Sequence, residues 1–287
     1  MPTFAVLADL HGNLQALDAV LADLERVRPD RIVVAGDFVN RGPQSRAVLE
    51  RIAPYSFPAI SGNHDTWLAS LAQGVNLPDA WETPWWTPVR RAAGELTPEW
   101  VAWIESLPPT LRLELPGAEP VRIVHGSPRH SREGMGRMQT DAQLADALAG
   151  VTERTVIGAH IHYPYERSVQ GTHVVVVGAT GCPFNGDVNA QYGLFTWDNT
   201  EAQWRFEHRS VPYDHQPLYA AWRDSGYLDD DSFASELMLL EHQTARTHYV
   251  PFWDWATERG LELSREHYPR FAAERPAFVP PPLRAAS

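Results

Sequence analysis

Five separated segments concentrate side chains able to bind metal: Asp9-Leu10-His11, Gly36-Asp37, Gly62-Asn63-His64-Asp65, Val124-His125-Gly126 and His160-Ile161-His162. Hard and borderline divalent cations take carboxylate, carbonyl and imidazole ligands. The set is about what two divalent cations sharing one carboxylate require. Such a pair brings the pKa of a bound water near neutrality and clamps phosphoryl oxygens during in-line attack. His64 adjoins Asn63 and is not needed as a ligand. It is therefore free to protonate a leaving oxygen, with Asp65 to orient or charge it. Arg41, four residues after Asp37, suits bidentate contact with phosphate oxygens.

These residues are far apart in sequence, so regular elements must bring them together. Thr3–Ala8, Arg31–Ala35, Phe57–Ile60, Val121–Val124 and Thr155–Gly158 are short, largely apolar runs bounded by Gly or polar residues, and read as buried strands. Asn13 caps a helix carrying Leu14, Leu17, Val20, Leu21 and Leu24 on one face, which stops near Arg28-Pro29. Gln44–Ile52 and His64–Leu71 read as two more helices. Strand–helix–strand alternation implies right-handed crossovers and a largely parallel sheet, whose ligands bind beyond the carboxyl ends of its strands. Each candidate residue follows such an end. His160 and His162, two apart, share a face.

Composition narrows the function further. The chain has 287 residues, enough for one large or two small domains, with 21% charged and 10% aromatic residues. The net charge of −12 disfavours a nucleic-acid polymer as partner. All 24 basic residues are Arg; without Lys there is no Schiff-base lysine and no Walker-type phosphate loop. A single cysteine, Cys182, excludes an internal disulfide and a thiolate metal cluster. No secretory leader or apolar run of membrane-spanning length is found, so a cytoplasmic protein without membrane contact is expected.

Residues 1–73 form a strand–helix half. Residues 74–110 differ, with Trp81, Trp85, Trp86, Trp100 and Trp103 among Pro78, Pro84, Pro88 and Pro98. Thr97-Pro98-Glu99 starts a helix there that reaches Leu107. This insertion either packs on the sheet or forms a lid whose Trp side chains line the substrate cleft. A hairpin is expected over 111–115 and 121–125, a loop over Ser127–Gln139 and a helix over Thr140–Leu148. Strands at 155–159, 165–169, 173–177, 191–197 and 203–209 make the second half strand-rich, as for a second sheet packed on the first. Helices are expected at Leu218–Ser225, Ser232–His242 and Phe252–Arg259, and an extended tail at Phe278–Pro282. The expected division is therefore 1–211 as the main domain, with 74–110 inserted, and 212–287 as a helical appendage that caps it or forms a dimer.

Taken together, Asp9-x-His11, Gly36-Asp37-x-x-x-Arg41-Gly42, Gly62-Asn63-His64-Asp65, His125 and His160-x-His162 resemble the calcineurin-like metallophosphoesterases over about residues 1–210. Leu10-His11-Gly12-Asn13 and His125-Gly126-Ser127-Pro128 look like the bacterial YfcE-type phosphodiesterase branch. Gly36-Asp37-Phe38-Val39-Asn40-Arg41-Gly42-Pro43 also looks like the branch of serine/threonine protein phosphatases and dinucleoside polyphosphate hydrolases, where protein phosphatases carry Asp in place of Asn40. Val176-Val177-Gly178-Ala179 stands where the YfcE branch has Asn-Pro-Gly-Ser, and is expected beside the site.

The resemblance implies a four-layer α/β/β/α sandwich. It implies one metal on Asp9, His11, Asp37 and His162 and a second on Asp37, Asn63, His125 and His160. His64 would be the acid, paired with Asp65, and Asn40 and Arg41 would meet substrate. Manganese is the first choice of metal, with iron, zinc, nickel or cobalt as alternatives. The implied partner is a small phosphoester or nucleotide, and homo-oligomerisation is left open. A non-catalytic scaffold of the same fold would have lost the acid or several ligands, whereas every position is filled here.

Overall fold

In a computed structural model the described residues are 1–228 and 232–276, so the expected tail at Phe278–Pro282 lies outside them. The chain runs β1 Thr3–Leu7, α1 Leu14–Val27, β2 Arg31–Val34, α2 Ser45–Ile52, α3 Asn63–Ala72, α4 Thr87–Gly94, α5 Pro98–Ser106, β3 Thr110–Leu113, β4 Val121–Val124, α6 Asp141–Ala147, β5 Thr155–Gly158, β6 Tyr165–Val169, β7 Thr172–Val176, β8 Ala190–Asp198, β9 Gln203–Val211, α7 Gln216–Asp224, α8 Phe233–Thr244, α9 Tyr249–Thr257 and α10 Tyr268–Glu274.

Two sheets form, ordered β2-β1-β8-β9 and β3-β4-β5-β7-β6. In the first sheet only the edge pair β1–β2 is parallel, β1–β8 and β8–β9 being antiparallel; in the second the central pairs β4–β5 and β5–β7 are parallel and the outer pairs β3–β4 and β6–β7 antiparallel. Period-two alternation builds the layers. Phe4, Val6 and Ala8 face the other sheet, meeting Ile123, Ile157, Val175 and Val177 in one buried cluster with Phe195 and Trp204. Ala5, Leu7 and Val34 face the opposite way, into a larger core shared with the helices. On the far side of the second sheet, Val124, Val156 and Val174 bury Met135, Leu144 and Leu148 of α6 and its neighbouring loops. The result is the expected α/β/β/α sandwich, with a thin fourth layer.

The local signals work where expected. Asn13 Oδ1 accepts the Ala16 N–H at 3.0 Å and α1 ends at Arg28, in the left-handed region with its N–H on Leu24 O. Two expectations need correction. Phe57–Ile60 is no strand but a single parallel bridge of Ala59 to Val34. Pro58 lends only its carbonyl to Val34 N–H, since proline has no N–H to extend a ladder. The strands near 191–197 and 203–209 do not join the second sheet; they complete the first, with β8 antiparallel to β1. Residues after Val211 are tied to the main body: Leu218, Trp222, Leu237, Met238, Phe252, Trp255 and Phe271 lie in the same core as α1–α5.

Candidate metal centre and cleft

The strand-end loops of both sheets are stitched together by backbone hydrogen bonds. Asp9 N–H donates to Gly36 O, His11 N–H to Asp37 O and Gly12 N–H to Phe38 O, at 3.0–3.1 Å. Thr180 and Gly181 N–H reach Ala8 and Asp9 carbonyls from the loop after β7, crossing between the sheets. These loops turn sharply. Asp9, His11, Asp37, Asn40, Arg41, His160 and His162 all have φ between 44° and 68°. Each such left-handed non-glycine residue costs about 1–2 kcal/mol, and such strain collects where function over-determines the backbone. Gly62 explains a glycine in the sequence pattern: a Cβ there would run into the Asp37 carboxylate.

Seven predicted residues meet in this place. Metal-capable atoms of Asp9, His11, Asp37 and His162 all lie within 4.8 Å of one another, as do those of Asp37, His125 and His160. Asn63 Oδ1 is 3.1 Å from His125 Nε2, which is itself 3.1 Å from Asp37 Oδ2. Each carboxylate has one oxygen anchored and one bare. Asp37 Oδ1 accepts the His64 N–H at 2.8 Å, and Asp9 Oδ2 the His160 N–H at 3.2 Å. Asp37 Oδ2 and Asp9 Oδ1 are buried without any hydrogen-bond donor.

The imidazoles are fixed in a complementary way. Nδ1 of His11, His125 and His162 rests on the carbonyls of Val39, Ala35 and Cys182. A carbonyl only accepts, so each Nδ1 bears hydrogen, and in the neutral ring Nε2 is left as a lone pair aimed at the cluster. Nε2 of His11 and His162 even face each other at 3.1 Å. Lone pairs and bare carboxylate oxygens converging among buried side chains are what a cation would satisfy, so this chain's residues fit divalent metal.

Burial and the crowding of these groups also shift their protonation, in opposite directions from one to the next. Burial, with Asp37 nearby, pushes Asp9 up to about 8. Burial acts to raise Asp37 too, but the His125, His64 and His11 rings hold it well below the usual carboxylate range. Burial would lower His125, yet the Asp37 carboxylate raises it to about 10. Burial takes His160 down to about 4 and lowers His11 and His162 well below the usual imidazole range.

Beyond the cluster the other predicted residues separate. Asn40 Oδ1 accepts the Arg41 N–H at 2.8 Å, which fixes its amide and turns Nδ2 toward His64 Nδ1, also at 2.8 Å. His64 Nδ1 is thereby an acceptor, and its ring hydrogen sits on Nε2. Burial lowers His64 to about 3. The expected His64–Asp65 pairing is not formed. Asp65 is committed to backbone, accepting N–H groups of Asp37, Phe38 and Gly62 at 2.7–2.8 Å, and so locks the Asp37 turn to the start of α3. Arg41 is buried and paired with the fully buried Glu241 of α8 at 2.5 Å, with Nε unpartnered.

Asn40, Arg41, Asn63, His64 and His160, with Arg132, form one end of a cleft of about 610 Å³; Trp67, Trp86, Val89, Met238, Tyr249 and Trp253 are among the residues that line the rest. Of the insertion's tryptophans, Trp86 faces this cleft, whereas Trp85 stacks on Tyr249 at 4.7 Å behind it. Trp103 packs on Phe38. Val176, Val177 and Ala179 are wholly buried, Val177 between the sheets, and do not line the cleft as their sequence position led one to expect.

Glu241, Trp67, Tyr249 and Trp253 were not singled out by the sequence. Trp67 had a usable signal, three residues after His64 on the same helical face. The others are brought in by tertiary packing alone.

A two-sheet sandwich with carboxylates and imidazoles converging at its strand ends defines a metallohydrolase. The chain belongs to the calcineurin-like phosphoesterase superfamily, whose domain model matches residues 3–200. It is a metal-dependent phosphoesterase, a hydrolytic enzyme. A metallophosphoesterase from Sphaerobacter thermophilus superposes with a TM-score of 0.63 at 23% identity, covering 85% of this chain and 99% of that one. An uncharacterized protein of Methanocaldococcus jannaschii is 25% identical over 232 residues, 75% of this chain and 89% of its own. A symmetrical bis(5'-nucleosyl)-tetraphosphatase of Janthinobacterium is 37% identical over 86 residues, but these are only 29% of this chain and 31% of that protein. Among the described residues no helix is long and apolar enough to cross a membrane.

Proposed function

We propose that this enzyme hydrolyses a small phosphodiester, phosphomonoester or nucleotide with two divalent cations, manganese being the first choice. Asp9, His11, Asp37 and His162 would hold one cation, and Asp37, Asn63, His125 and His160 the other. When bound, such a pair activates water and neutralises phosphoryl oxygens. The observation that carries this reading is the pairing of a bare oxygen on Asp9 and on Asp37 with imidazoles held Nε2-inward.

The chain's own residues do the rest. Arg41, immobilised by Glu241, meets phosphoryl oxygens from the cleft wall. His64 presents Nε2–H to the leaving oxygen and is the proton donor. Donation needs the imidazolium, which an entering phosphoester anion favours. Asn40 orients that ring, in the role first expected of Asp65. The Trp-rich segment and the helices after Val211 form the substrate-facing wall. The tetraphosphatase relatives favour a nucleotide, including a dinucleoside polyphosphate, as a second reading of the substrate. In the first test, bis-p-nitrophenyl phosphate and p-nitrophenyl phosphate are hydrolysed with added Mn²⁺ and not with excess chelator. Full activity in chelator would overturn the proposal.

A further inference from the structure

The cleft is divided in character. At one end stand Asn40, Arg41, Asn63, His64 and His160; toward the other, Trp67, Trp86, Met238 and Trp253 leave apolar surface, and most of the accessible lining is apolar. An unbroken series of ring contacts leads away from the polar end. His64 meets Trp67 edge-on at 6.0 Å, Trp67 meets Trp86 at 5.9 Å, Trp86 meets Trp253 at 5.1 Å, and Trp253 meets Tyr249 at 5.9 Å. Each edge-to-face contact covers a face of only one of its two rings, so the series keeps ring faces turned toward the cleft for another flat ring. These rings come from three parts of the chain: α3, the turn before α4, and α9. Leaving the apolar surface of these large groups open to a water-filled cleft is unfavourable, and a ligand that covers it recovers that free energy.

Direction follows from His64. The proton donor lies on the side of the phosphorus from which the leaving oxygen departs, and His64 begins the aromatic series. We infer, on the basis of the phosphoesterase reading above, that the aromatic end is a leaving-group pocket selecting phosphoesters whose departing alcohol carries a flat aromatic ring. Trp67, Trp86 and Trp253 determine that specificity. The ring has two chemical sources, an aryl group near the ester oxygen or the base of a nucleoside. Among the described residues that line the cleft, Arg132 stands by His160 at the polar end, and the apolar end offers no carboxylate, amide or hydroxyl side chain except Tyr249 to read a base edge, so stacking is the main contact open to either ring.

The test compares kcat/KM of the Mn²⁺-loaded full chain on two substrate pairs. Benzyl phosphate is set against ethyl phosphate, whose leaving alcohols are of similar acidity, and adenosine 5'-phosphate against ribose 5-phosphate. At least a tenfold preference for the aromatic member of either pair is expected, and the pair that shows it identifies the source of the ring. Trp253→Leu should lower that preference at least fivefold. Trp67→Leu serves as the independent variant should the first fail to fold, with the same expectation. No preference in either pair, or a preference that survives substitution in a folded variant, overturns the pocket while leaving the phosphoesterase reading intact. No metal-dependent hydrolysis of any of the four overturns the pocket, and if the p-nitrophenyl esters are left intact as well the phosphoesterase reading falls with it.

Discussion

The two ends of the cleft are built by opposite means. The polar end comes from loops at strand ends, where seven residues hold left-handed backbone and two carboxylates are each pinned by one N–H. The aromatic end comes from faces of α3 and α9 and the turn before α4, whose side chains simply pack, Trp67 on Trp86 and Trp86 on Trp253. Strain held by hydrogen bonds fixes atoms closely enough for chemistry. Helix packing fixes only shape and polarity, which suffices to choose a substrate. Change at the first end should therefore be felt in turnover or metal content, and at the second in preference or stability.

The sharpest way to break this contrast at the polar end is His64→Ala. Turnover of alkyl phosphoesters should fall about 10²- to 10⁴-fold with metal content unchanged. The loss should be smaller for p-nitrophenyl esters, whose phenolate departs without a proton. Metal analysis and kinetics on one preparation check this; loss of metal would mean that His64 is a ligand.

Asn40→Asp should give a smaller effect of opposite sign. A carboxylate on His64 Nδ1 in place of an amide N–H stabilises the imidazolium. His64 should then rise from about 3, and the falling limb of the kcat–pH profile for an alkyl ester should move to higher pH. An unmoved profile would mean that Asn40 does not tune the donor.

The smallest effect is expected at the aromatic end. Burial lowers both His242 of α8 and His248, just before α9, to about 4. Their folded values lie below the ordinary 6.5, so the unfolded chain binds protons first as pH falls. The stability they contribute is fully present above about 6.5 and is lost as pH drops through about 4. Tm should decline across that window, and His248→Gln should make the decline shallower. An unchanged slope in the variant would exclude His248 as a source.

Legibility in the sequence divides along the same line. The polar end could be read because each candidate follows a short apolar run, and a strand end is a place that chain pattern predicts. Even the α1 cap at Asn13 was visible. What pattern could not give was hydrogen-bond commitment. Asp65 sits beside His64 in sequence, but its carboxylate satisfies three backbone N–H groups, while Asn40, 24 residues away, reaches the ring. The aromatic end was largely hidden. Trp253 and Met238 have the spacing of ordinary core residues, and only the packing of α8 against α4 and the turn before it, with α9 laid on α8 and Trp253 on Trp86, turns them toward the cleft. Val176–Ala179 misled in the reverse direction, being close to the loop in sequence but consumed by the sheet interior. β8 and β9 were legible as strands, but which sheet they join depends on long-range pairing that local pattern does not encode.

The central claim is that one carboxylate, Asp37, serves two metal subsites. Equilibrium dialysis against Mn²⁺ followed by metal analysis of wild type and Asp37→Asn tests it most directly. The account predicts two equivalents in the wild type and weakened binding of both in the variant. A variant that keeps one ion at undiminished affinity, or a wild type that binds only one, would contradict it.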